Sequence, residues 1–197
     1  MDFINHAMRM RKYTIFILGL FSTIFIGWID YITGPYLVLS LFYLFPGFYF
    51  YEILNLEMER ARRHNNHFSI AYIDLDNFKD INDKYGHLVG DELLHRIAIL
   101  IKQNIRNIDT VARLGGDEFV VLMPETPTIK GRAVIERLIK IFLGEMAKND
   151  WPVTMSAGLA SFLQIPTTVD AIISKADELM YVAKQKGKNR IEEKIFD

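Results

Sequence analysis

At 197 residues, with 23 basic and 24 acidic side chains, the chain is long enough for one ordinary domain plus an appendage. A formal net charge of −1, with no long basic run, gives no electrostatic case for nucleic acid as a partner. The absence of cysteine excludes disulfides and thiolate chemistry and fits a reducing cytoplasm.

The first quarter differs in composition from the rest. Residues 13–29 carry no charge, and after Asp30 none returns until Glu52. Each run spans about 25–30 Å as a helix, close to the thickness of the hydrocarbon layer. Thr33-Gly34-Pro35 is a turn signal between them, so the pattern predicts a transmembrane helical hairpin with helices over 13–29 and 36–51. Arg9, Arg11 and Lys12 precede the hairpin and Arg60, Arg62 and Arg63 follow it, which places both ends in the cytoplasm. A cleaved signal peptide and buried core helices are the competing readings. The second apolar run and the lack of a small-residue cleavage site weigh against a signal peptide. Pro46-Gly47 is expected to kink the second span or end it early. Phe42, Tyr43, Phe45, Phe48, Tyr49, Phe50 and Tyr51 form an aromatic belt suited to a membrane interface.

Beyond residue 51 the pattern becomes that of a water-soluble domain, 52–197. A charged amphipathic helix is expected over 52–65, followed by a strand over 68–73. Phe78, Ile81 and Tyr85 recur at i, i+3 and i+7, marking a short helix ended by Gly86. Leu93, Leu94, Ile97, Leu100 and Ile101 continue a longer helix to about 105. Two strand-like runs, 110–114 and 119–123, flank Gly115-Gly116-Asp117-Glu118 and read as a hairpin. A helix over 133–146, a strand over 153–162, a helix over 169–186 and a short strand over 189–193 complete the order. Strands mixed with helices around a central hairpin imply an α+β fold with a largely antiparallel sheet.

Two acidic strand ends carry the chemistry. Tight hairpins need positive φ, which Gly115 and Gly116 supply, and glycines let an anionic ligand approach the backbone. Asp117 and Glu118 follow at once. Alternation along 68–76 puts Asp74 and Asp76 on one face. Hard oxygen ligands grouped in this way suit Mg²⁺, which binds through one or two carboxylates plus substrate phosphates. Each carboxylate taken alone suits a helix cap better than a metal. Lys79 and Asn82 are i, i+3 neighbours on the short helix and can face one ligand together.

The run Asp74-Leu75-Asp76-Asn77-Phe78-Lys79-Asp80-Ile81-Asn82-Asp83-Lys84-Tyr85-Gly86-His87, then Gly90-Asp91 and Gly115 to Phe119, resembles a GGDEF domain. The tail, from Ala176-Asp177-Glu178-Leu179-Met180-Tyr181 to Ala183-Lys184-Gln185-Lys186-Gly187-Lys188-Asn189-Arg190, is similar to the same family. The family comprises the bacterial diguanylate cyclases, which condense two GTP into cyclic di-GMP. The resemblance implies a nucleotide-cyclase-like fold and a homodimer that brings two GTP-loaded domains face to face. With the hairpin ahead of it, this implies a domain held on the cytoplasmic side of the bacterial inner membrane. It further implies Mg²⁺ (or Mn²⁺) held by Asp74, Asp117 and the Leu75 carbonyl, with Asp117 or Glu118 assisting removal of a hydroxyl proton. Lys79 and Lys184 match the phosphate contacts. Lys188 stands where the family more often has Arg, which exchanges a fork for a point charge. Asn82 and Asp91 match the guanine readers, and His87 matches a substrate contact. Arg106-Asn107-Ile108-Asp109, five residues ahead of Gly115, matches the RxxD inhibitory site for cyclic di-GMP.

One departure stands out. Family members open with D-x-L-T-G-L-x-N-R before the first helix, whereas Leu41-Phe42-Tyr43-Leu44-Phe45-Pro46-Gly47-Phe48 lacks it. Two expectations follow: a membrane-anchored, product-inhibited diguanylate cyclase, or a catalytically weak membrane protein that binds GTP or cyclic di-GMP.

Overall fold

The computed structural model describes the backbone of residues 36–197 and the side chains of 49–197. The elements in chain order are α1 (Tyr36–His64), β1 (Phe68–Asp76), α2 (Phe78–Tyr85), α3 (His87–Gln103), β2 (Thr110–Gly115), β3 (Glu118–Pro124), α4 (Thr128–Ala147), β4 (Thr154–Phe162), α5 (Val169–Gln185) and β5 (Ile191–Phe196). The chain divides into two units, Met1–Phe45 and Pro46–Asp197. The predicted span over 13–29 lies outside the described residues. Over 36–51 the backbone is helical and runs on through Pro46 to His64 rather than stopping at it. Among the described residues no helix is long and apolar enough to cross a membrane.

The second unit is built on a five-stranded sheet in the order β2-β3-β1-β4-β5. β1 is buried at every position, as a strand-rich apolar run with neighbours on both edges must be. It pairs antiparallel with β3 and β4, and β2 pairs antiparallel with β3. The exception to the antiparallel pattern is β5, which runs parallel to β4 and makes the sheet mixed.

Alternation along β1 divides the core in two. Ala71, Ile73 and Leu75 face Phe78 and Ile81 of α2, Leu93 and Ile97 of α3, and Ile135, Leu138 and Phe142 of α4. Phe68, Ile70 and Tyr72 face the other way, toward Phe50, Leu54, Met58 and Ala61 of α1 and Ile172, Ala176 and Met180 of α5. The α1 residues recur at i, i+4, i+8 and i+11, one helix face, and all are 1% exposed or less. Burial of Phe50, Leu54 and Met58 is worth about 1.5–3 kcal/mol each. α1 therefore docks on the sheet from Phe50 onward, two residues before the expected start of the domain.

Two boundaries are set by the backbone. α3 begins at His87, directly after the short helix, because Gly86 turns the chain at φ 87° and the helix restarts at once. β5 begins at Ile191 rather than at 189, because Gly187, Lys188 and Asn189 all have positive φ (110°, 61° and 48°) and cannot extend a strand.

Candidate active site

The antiparallel register brings the acidic ends of β1 and β3 together. Asp74 pairs with Glu118 across the ladder, and the Leu75 N–H donates to the Asp117 carbonyl at 3.3 Å. Gly116 and Asp117 form the two-residue tip between β2 and β3, with Gly116 at φ 34°. Arg113 steadies the tip by donating from Nε to the Gly116 carbonyl at 2.8 Å. Gly115 pairs with Glu118 across the hairpin.

Asp74 is 5% exposed. One oxygen, Oδ2, meets the Lys184 ammonium at 2.7 Å. The other, Oδ1, is buried and has no hydrogen-bond partner. Burial raises the Asp74 carboxyl above its usual range against the opposing pull of Lys184, and the Asp117 charge raises it further. A buried carboxylate oxygen without a partner costs about 1–3 kcal/mol or more. Two carboxylates repelling each other at the end of a sheet, one with an oxygen unserved, fit a hard divalent cation. Among the described residues no group of three or more His, Cys, Asp or Glu side chains is gathered for a metal. Mg²⁺ needs few protein ligands, because it completes its shell with phosphates and water.

Asp76 does something different from Asp74 although both lie on one strand face. Its carboxylate is 2% exposed and accepts from Thr154 Oγ1 at 2.7 Å, Ser156 Oγ at 2.8 Å and the Asn189 backbone N–H at 3.2 Å. Tyr72, two residues before Asp74, is 7% exposed, and the Glu118 carboxylate bears on its hydroxyl. Burial first, then the Glu118 and Asp177 charges, push the phenol far above its ordinary range, so it stays a neutral donor toward Glu118.

The lysines come from other elements. Lys184, in the last turn of α5, arrives at Asp74 because α5 lies tightly on β4. That approach depends on Gly158, where a Cβ would sit 2.1 Å from the Ala176 carbonyl oxygen. Lys188 reaches Asn77 Oδ1 at 2.8 Å from the left-handed turn after α5. Lys79 stands exposed on α2.

A second polar cluster lies between α2 and α3. Asn82 Oδ1 is buried without a hydrogen-bond partner. Gly90 makes room for it: a Cβ there would sit 2.0 Å from that oxygen and 3.2 Å from Phe78 Cζ. His87 and Asp91, on the first turns of α3, are exposed.

Arg106 and Asp109 close on each other. The Asp109 side chain is fully buried and accepts from Arg106 Nε and Nη2 and from the Arg106 backbone N–H. Arg106 also donates to the Pro124 carbonyl and to Thr126, which pins the loop before β2 to the end of β3. Half of the guanidinium side chain remains exposed, at 48%. The pair was legible as a motif, but its role as a clasp between two strands was not. The role of Asp76 was likewise not legible in the sequence, since the partners that claim it are 78 or more positions away.

A mixed sheet between two helix layers, with carboxylates at adjacent strand ends and Lys184 reaching Asp74, defines a nucleotide-cyclase-like domain. Residues 44–190 match the family model described as diguanylate cyclase, GGDEF domain, and the chain belongs to that family. It is 40% identical over 146 residues, or 70% of its length, to the diguanylate cyclase DgcP of Pseudomonas aeruginosa. It spans 21% of that protein, about a fifth of the length of the first curated relatives it matches. The GGDEF domain of YfiN (TpbB) from P. aeruginosa superposes with a TM-score of 0.67 at 30% identity, covering 76% of this chain and 95% of that one. The GGDEF domain of DgcB from Caulobacter crescentus, solved in complex with c-di-GMP, gives 0.67 at 24% identity over 73% and 87% of the two chains.

Proposed function

We propose that the domain is a diguanylate cyclase. Each domain binds one GTP, and two domains meet face to face. The 3′-oxygen of one GTP attacks the α-phosphorus of the other, its proton leaves, and the bond from that phosphorus to pyrophosphate breaks. Repetition in the opposite sense yields cyclic di-GMP and two pyrophosphates. The observation that carries this reading is the buried, unpartnered Asp74 Oδ1 beside Asp117 at the hairpin tip.

Asp74, Asp117 and the Leu75 carbonyl would hold Mg²⁺ or Mn²⁺, which supplies charge neutralisation at the phosphates. Asp117 or Glu118 accepts the hydroxyl proton, with Tyr72 orienting Glu118. Lys79, Lys184 and Lys188 stand for phosphate contacts, and Gly115 and Gly116 let phosphate approach the hairpin backbone. Asn82 Oδ1 accepts from the donor edge of guanine, with Asp91 and His87 beside it. Adenine offers no N1–H there and leaves the buried oxygen unpaired, which gives selectivity. Arg106 with Asp109 forms an inhibitory site for the product. The charge-free runs ahead of the domain anchor it in the membrane with its sheet on the cytoplasmic side.

A second reading, a GTP- or cyclic di-GMP-binding regulator with poor turnover, draws on the missing D-x-L-T-G-L-x-N-R segment. Incubation of detergent-purified full chain with GTP and Mg²⁺, with products resolved by mass, separates the two. Cyclic di-GMP with stoichiometric pyrophosphate supports the cyclase; GTP binding without product supports the regulator.

A further inference from the structure

We infer that Asp76 is a positioning residue that holds the turn after α5 so that Lys188 is presented to the substrate phosphates; the inference rests on the nucleotide-binding reading above. Three successive residues in that turn, Gly187, Lys188 and Asn189, have positive φ, and two of them carry side chains. Left-handed conformations of non-glycine residues are costly and persist only where the surroundings enforce them. The enforcement is visible. The Asn189 N–H donates to Asp76 Oδ2 at 3.2 Å, and the Lys188 N–H donates to the Ala183 carbonyl at 3.1 Å. The Lys188 ammonium then reaches Asn77 Oδ1 at 2.8 Å, on the residue next to Asp76, itself left-handed at φ 62°.

The carboxylate is otherwise fully engaged. Thr154 Oγ1 and Ser156 Oγ, both on β4, donate to it from the sheet side. Asp76 thus joins β1, β4 and the turn through a single buried side chain, 2% exposed. An acid at this depth with all of its oxygens claimed is a poor metal ligand, which separates it from Asp74. Its oxygens accept from three donors, but only the backbone N–H of Asn189 is fixed in direction, because the two hydroxyls can turn to other acceptors. Loss of the carboxylate therefore releases the turn first, and the lysine with it.

The test is a double-mutant cycle on the full chain. It reads affinity for a non-hydrolysable GTP analogue and amide hydrogen exchange over residues 186–190. D76A is expected to weaken the analogue about tenfold, the scale of one lost charge-assisted contact, and to speed exchange in the turn without nucleotide. K188A is expected to weaken binding comparably, and D76A added to K188A to weaken it little further. D76N, which keeps one acceptor for the Asn189 N–H, is expected to restore most of the affinity. S156A removes a sheet-side donor alone and is expected to leave affinity within about twofold. Independent effects of D76A and K188A, unchanged exchange in D76A, or an S156A loss equal to that of D76A would each overturn the positioning role. Failure of the wild-type chain to bind the analogue would instead overturn the nucleotide reading on which the role rests.

Discussion

Asp74 and Asp76 show how far identical side chains on one strand face can diverge. Asp76 has every oxygen occupied by the fold, and Asp74 keeps one buried oxygen unserved. A fold tolerates such an oxygen where something from outside completes it, and the neighbouring Asp117 charge suits the cation proposed above. Asp117→Ala is expected to cut turnover about 10²-fold or more, since it removes a ligand where charge develops. Affinity for GTP should fall less, because Asn82 and Asp91, the guanine contacts proposed above, lie on other elements. Near-normal cyclic di-GMP synthesis by this variant would remove Asp117 from the metal site. Asn82 makes the same argument on a smaller scale. Its buried oxygen exists only because Gly90 leaves space, so Gly90→Ala forces Asn82 off its place. GTP affinity is expected to drop roughly tenfold, the scale of a single lost polar partner, with preference over ATP narrowing in competition binding.

At the scale of elements, the positions of the lysines are set by how closely α5 lies on β4. Gly158 fixes that distance, since an added Cβ would fall 2.1 Å from the Ala176 oxygen and 2.3 Å from the Met180 nitrogen. Both are backbone atoms of a helix and cannot swing aside. Gly158→Ala is expected to cost about 3 kcal/mol or more and to lower the unfolding temperature by several degrees, read by thermal denaturation. A variant as stable as the parent would mean that α5 shifts at no cost. Local pattern was enough to place the helices and the hairpin. The i, i+3, i+7 spacing of Phe78, Ile81 and Tyr85 marks a helix whatever it packs on, and Gly-Gly between apolar runs marks a turn. The parallel pairing of β5 with β4 was not legible. A six-residue strand of sequence Ile-Glu-Glu-Lys-Ile-Phe carries little periodic signal, and its register depends on the left-handed turn that precedes it. The same holds for the candidate site: motif spacing named the candidate residues, but not which of them meet. Contacts such as Lys184 with Asp74, or Asn189 with Asp76, join positions more than a hundred residues apart.

At the scale of the whole molecule, the remaining questions concern what holds the domain and what restrains it. Two charge-free runs with basic flanks predict an integral protein, so alkaline carbonate should leave the full chain in the membrane pellet. Release to the supernatant would overturn the anchoring. Restraint by product turns on Arg106. In the structure its guanidinium clasps the buried Asp109 and the end of β3, yet half of the side chain faces solvent. A bound cyclic di-GMP would therefore meet Arg106 first, by stacking and by donation to guanine acceptors, with Asp109 holding the arginine from behind. Product bound there could hold two domains with their active sites apart. The extent of inhibition is then limited by the differential affinity of product for that arrangement over the productive one. Arg106→Ala is expected to relieve inhibition in progress curves with added cyclic di-GMP while the initial rate stays unchanged, because the loop lies at the opposite end of β3 from Glu118. The same substitution strips Asp109 of its charged partner. A thermal-shift measurement is needed beside the kinetics, and Arg106→Lys serves as the variant that keeps a charge next to Asp109 without the fork. Equal inhibition of the wild-type chain and both variants, with the fold intact, would remove this clasp from any account of regulation.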